Sequence, residues 1–166
     1  MQRYYTISGN SQLSGSFRTY YRSYGKSVYA LSISADNSIN WIKHIPVNQI
    51  EYDYQIYTGS IATFHNSKGI YIFYNDNETN INTHEESKRK WVDVSGKWPR
   101  GNNTYVVNIT PDGTLTRTIA GVYSDPYHHL APAKPFKLYN TELFFTSFYY
   151  KDLGASTYKP CIFIIQ

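Results

Sequence analysis

Residues that build helices are scarce in this chain. Ala, Leu, Met and Glu together number 20 of 166, whereas Ile, Val and Thr number 37 and the aromatics 29. β-Branched and aromatic side chains suit pleated, half-buried surfaces, so this balance argues against a helical bundle and predicts an all-β fold. Cysteine is nearly absent. Cys161 is alone, which excludes an intrachain disulfide, and beside Ile162-Phe163-Ile164-Ile165 it reads as a small buried hydrophobe. No apolar run approaches the roughly 20 residues of a membrane-spanning helix. No leader pattern follows Met1, so the chain reads as cytosolic or as a mature chain whose export signal has been removed.

Charge of one sign is lacking too. The formal balance is +4, with the cations scattered apart from Lys88-Arg89-Lys90. Without a basic face or an aromatic platform for single strands, nucleic acid is excluded as a partner. There is no Gly-rich phosphate loop, nucleophile elbow or His-Glu-x-x-His motif. No cofactor is expected.

What is present is organised around Ser27 to Pro46. Tyr29, Leu31 and Ile33 share one face of a strand, Ala35-Asp36-Asn37-Ser38 forms a turn, and Ile39, Trp41, Lys43 and Ile45 alternate on the return. Pro46, which has no N–H for a ladder, is expected to close the hairpin. Residues 48–58 alternate as a half-exposed strand. Ile70-Tyr-Ile-Phe-Tyr74 is nearly continuous apolar, the pattern of a strand buried on both faces, and is expected to stop at an Asn75–Asn80 turn. Residues 81–90 read as a loop or one short helical turn, and Trp91–Val94 as a brief strand. Tyr105–Thr110 and Thr114–Ile119 flank Pro111-Asp112-Gly113, a strong hairpin signal. Residues 121–135 read as a loop. Phe136–Tyr139, Glu142–Tyr150 and Tyr158–Ile165 close the chain as strands.

Four turns are expected after apolar strands, at Asp36, Asp76, Asp112 and Asp152. Their separations of 40, 36 and 40 residues suggest a repeat. A unit of about 40 residues with short antiparallel strands is what a β-propeller blade needs. The expected architecture is therefore one domain, 1–166, with blade-like units near 1–46, 47–82, 83–121 and 122–166. It would be a propeller or part of one. A β-sandwich is the competing fold.

Ser34-Ala-Asp36-Asn-Ser38-Ile-Asn40-Trp41 resembles the Asp-box of sialidase-like and other propellers, Ser-x-Asp-x-Gly-x-Thr-Trp. Ser38 and Asn40 replace the Gly and Thr. The resemblance implies a fold element rather than chemistry. In that family Asp bonds the turn backbone and Trp packs between strands, away from the catalytic face. More broadly, Ile39–Pro46, Gly69–Asn80 and Asn108–Arg117 resemble propeller-like proteins of Gram-negative bacterial envelopes. That likeness implies an extracellular or envelope location and a role in binding or assembly.

The residues themselves point to no reaction. Asn75, Asp76, Asn77 and Asn80 offer oxygen ligands, yet a single Asp with Glu78, outside any EF-hand pattern, favours a turn over Ca²⁺. His128 and His129 are adjacent, so they face opposite sides of a strand, and no third ligand lies at zinc spacing. No metal is expected. The reading that results is a non-catalytic module whose loop aromatics and amides, Tyr74, Asn75, Asn77, Trp98, Tyr127 and His128, bind a protein or glycan partner. A sialidase- or glycosidase-type enzyme is the alternative and would need two convergent carboxylates about 5 to 10 Å apart. A structural subunit of a homo-oligomeric ring is the third.

Overall fold

A computed structural model describes residues 2–7, 19–52, 61–83, 85–93, 102–121, 128–137, 143–152 and 155–164. The described residues are almost entirely antiparallel β-structure, so the fold is all-β. The first sheet has the order β1 (Gln2–Ile7), β2 (Thr19–Ile33), β3 (Ile39–Tyr52), β6 (Val92–Asp93). Among the described residues only the β3–β6 pairing is parallel. The second sheet is the meander β4 (Ala62–Asn66), β5 (Gly69–Asn77), β7 (Asn102–Ile109), β8 (Leu115–Gly121). The third is β9 (His128–Lys137), β10 (Leu143–Asp152), β11 (Ala155–Ile164). Two short 3₁₀ turns, Glu78–Asn82 and Glu86–Lys88, bridge β5 to β6.

The core lies between the first two sheets. Ile45 and Val47 of β3 meet Ile72 and Tyr74 of β5 and Tyr105, Val107 and Ile109 of β7, with Val28, Ala30 and Trp41 packed around them. Ala62, Phe64, Tyr71 and Phe73 form a second buried cluster, and β9 passes close to β4, β5 and β7. Thus β5 is covered on both faces, which is why its apolar run is continuous rather than alternating.

Three expectations need correction. Pro46 does not end the hairpin: β3 continues through it to Tyr52. The ladder is irregular there, with Gly25 opposite Gln49 and Ser27 opposite Pro46, so β3 carries one extra residue in the stretch that follows the proline. A proline is tolerated beside such a bulge. Asn75 to Asn77 are not a turn but the end of β5, paired with β7. Residues 128–135 are strand rather than loop. Pro132 and Pro135 fall where the β9–β10 register shifts, on an edge strand, where a missing N–H costs little.

A second bulge decides which side chains face out. Ser32 pairs with Trp41, but Ile33 pairs with Ile39, so Asn40 is the extra residue. Cross-strand partners share a face. The bulge therefore moves Ile39 off the face of Trp41 and onto that of Ile33.

Candidate functional site

The most polar region of the interior is built on Asp76. Its backbone position at the end of β5 points the carboxylate at three incoming segments. Oδ1 accepts from the Asn77 amide at 2.8 Å and from Asn80 Nδ2 at 2.6 Å. Oδ2 accepts from Arg117 Nη2 at 2.6 Å and also pairs with Arg89 Nη2. Arg89 further donates to the carbonyls of Pro46, Asn80 and Thr83 at 3.0–3.1 Å. Arg117 donates to the Asn80 carbonyl, and its guanidinium carbon lies 4.2 Å from the centre of the Tyr105 ring and 5.4 Å from that of Tyr74. Burial pushes the Tyr74 phenol up to about 12, partly opposed by Arg117, and burial also raises Tyr105. Asp76 and Arg89 have side-chain exposures of 0% and 1%. The cluster ties β3, β5, the first 3₁₀ turn and β8 together. Both Asp76 oxygens are occupied, so this carboxylate has no lone pair directed at a substrate, and its evident work is structural.

Two exposed turns share one hydrogen-bond pattern. In the β2–β3 turn, Asp36 Oδ1 accepts from the Ser38 amide, the Ser38 hydroxyl and the Ser34 hydroxyl. In the β7–β8 turn, Asp112 accepts from the Thr114 amide, the Thr114 hydroxyl and the Thr110 hydroxyl. The backbone agrees, with Ser34 N–H bonded to Ser38 O and Thr110 N–H to Thr114 O. Asn37 (φ 65°) and Gly113 (φ 86°) hold the same left-handed position. These bonds, the Ser34 hydroxyl foremost, hold the Asp36 carboxyl down at about 2, and the Thr110 hydroxyl leads the same effect on Asp112. Trp41 joins the two hairpins: its Nε1 donates to Pro111 O at 3.1 Å and its ring lies against Gly113. Asp76, buried within a strand, does not continue this series, so the four aspartates spaced 36–40 residues apart are not four equivalent turns.

The outer face of the β2–β3 hairpin is different in kind. Tyr29, Leu31, Ile33, Ile39 and Ile42 are 49–66% exposed. They form rows, Leu31 opposite Ile42 and Ile33 opposite Ile39, continued by Tyr29 opposite His44. Tyr29 and His44 stack at 4.8 Å, and His44 Nε2 contacts the Ser27 hydroxyl at 2.8 Å. At about half exposure, five such side chains present on the order of 500 Å² of contiguous apolar surface, near the upper end for a soluble monomer.

Of the six residues named from sequence as a binding cluster, the structure describes the side chains of Tyr74, Asn75 and Asn77. Tyr74 and Asn75 are buried, 0% and 1% exposed, where no external ligand touches them. Asn75 accepts from Thr104 Oγ1, and its carbonyl accepts from Gln49 Nε2. Asn77 is half-buried and caps the first 3₁₀ turn, accepting from Thr79. Trp98 and Tyr127 lie outside the described residues. His128 opens β9, but its side chain lies outside them too. The outer hairpin face was visible in sequence as the Tyr29-Leu31-Ile33 row. The missing signal was that Val28 and Ala30, smaller but paired near Trp41 and Ile45, take the inward side.

Among the described residues no helix is long and apolar enough to cross a membrane. No family model, curated protein or solved structure matches the chain.

Proposed function

We propose that the chain is a non-catalytic, propeller-like module that binds a protein partner through the outer face of the β2–β3 hairpin. The observation that carries this reading is the row of exposed apolar pairs from Tyr29 to Ile39. A face of that size and regularity costs solubility when bare, and it is the kind of surface that marks protein association. Burial of Tyr74 and Asn75 removes the two best-placed groups for a glycan site, which favours protein over carbohydrate. The propeller-like part of the reading draws on the two Asp-box-like turns and on the successive antiparallel sheets. The extracellular or envelope setting follows from the resemblance alone.

The test is site-specific photocrosslinking. A photoreactive side chain at Ile42 should capture a protein in the native setting, whereas one at the exposed Thr63 of β4 should not. Equal yields at the two positions would sink the reading.

A further inference from the structure

Resting on that reading of the hairpin face, we infer that the partner is a second copy of this chain, packed face to face about a two-fold axis with the hairpins antiparallel. Three features argue for it. The face carries no formal charge among Tyr29, Leu31, Ile33, Ile39 and Ile42, so meeting its own copy buries no like-charge pair. Its area, on the order of 500 Å² before the rim is counted, approaches the roughly 800 Å² that each partner gives to a standard interface. Its ends are also complementary. Asp36, held ionised by Ser34 and Ser38, stands at the tip, while His44 stands at the base beside Tyr29. The distance between them is on the order of 20 Å along the strands.

A two-fold interface is isologous: each patch residue meets a counterpart on the other copy. With the axis between the Leu31–Ile42 and Ile33–Ile39 rows, each of these rows covers the other. The tip of one hairpin then lies over the base of its partner. That brings each Asp36 towards the opposite His44, twice per dimer. A parallel arrangement would instead set Asp36 against Asp36.

The experiment is light scattering on a sizing column, over a concentration series of the full chain. The wild type should show twice its 19.3 kDa mass at high concentration and dissociate on dilution. Leu31→Asp, an exposed position that should keep the fold by circular dichroism, should weaken association at least about a hundredfold. His44→Lys should tighten the dimer and His44→Asp should loosen it, each by a few-fold to about tenfold, because both face Asp36. A strict monomer at about 100 µM overturns the self-pairing. A dimer indifferent to Leu31→Asp overturns the assignment of this face. His44→Lys and His44→Asp shifting together, or not at all, overturns the antiparallel arrangement. The crosslink at Ile42 separates the two readings. Capture of a different protein there, from a chain that stays monomeric, ends the dimer but leaves the binding face standing.

Discussion

Asp76 carries more of the fold than any other single charged group described. Two guanidiniums share one carboxylate, so the buried cluster has a net charge of +1 rather than zero. Replacing Asp76 by Asn keeps the size but turns one oxygen into an NH₂ that faces donors only. Arg89, 1% exposed, then has no counter-ion, and the expected loss is about 3–5 kcal/mol in urea unfolding. Removing Arg117 instead, as Arg117→Met, leaves a neutral Asp76–Arg89 pair. It should cost less than half as much, because Arg117 is partly exposed and Asp76 keeps Arg89, Asn80 and the Asn77 amide as partners. Equal losses for the two variants would mean that charge balance is not what the cluster provides. Asp36 makes a separate, pH-dependent contribution. Its folded pKa of about 2 lies below the ordinary 3.8, so the stabilisation is fully present above about pH 4 and is lost as pH falls through 2. The Ser38 amide, bonded to Asp36 Oδ1, should report this as an NMR shift with a midpoint near 2 that vanishes in Asp36→Asn.

At the scale of elements, the two Asp turns work as clasps, and Trp41 connects them. Gly113 sits at φ 86° with space for a Cβ blocked by Trp41 Cγ at 2.8 Å. Gly113→Ala therefore meets both backbone strain and a ring clash, an expected loss of about 2–4 kcal/mol. Trp41→Ala in the same chain should remove the clash but not the strain. A double-mutant cycle by thermal melting should thus give a coupling of about 1 kcal/mol or more, and additivity would contradict the contact. These turns were the most legible part of the sequence, because Ser/Thr-x-Asp-x-Ser/Thr is a local device that needs nothing distant to form. The β5 run was legible for a similar reason, since burial on both faces leaves a mark in consecutive residues. Asp76 was not legible. Its neighbours Asn75 and Asn77 are turn formers, and only Arg89 and Arg117, 13 and 41 residues away, make a strand end tolerable there. The face of Ile39 was illegible for another reason. A one-residue bulge at Asn40 reverses the parity of everything beyond it, and no hydropathy pattern records where a bulge falls.

The molecule as a whole has one sheet protected on both sides and one that shows an apolar face. β5 and β7 lie in the middle of the second sheet, bonded on both edges and buried between the two clusters, so their opening requires global unfolding. Their amides, in Gly69–Asn77 and Asn102–Ile109, should be the slowest to exchange with deuterium, at rates set by global stability. Among the described residues, the outer half of the β2–β3 hairpin is bonded along one edge of each strand, β2 to β3, and has only one buried face. In an isolated chain, amides of residues 29–33 and 39–42 should exchange faster than those of β5, at a rate that does not change with protein concentration. If the face is closed by a second copy, those amides alone should slow as concentration rises, while β5 and β7 stay unchanged. Leu31→Asp should abolish that concentration dependence without altering β5. Exchange thus separates the hairpin's own stability from what association adds, because mass action reaches only the residues that the partner covers. Slowing spread evenly over all three sheets would instead indicate stabilisation of the whole fold, and the outer face would then not be where association acts.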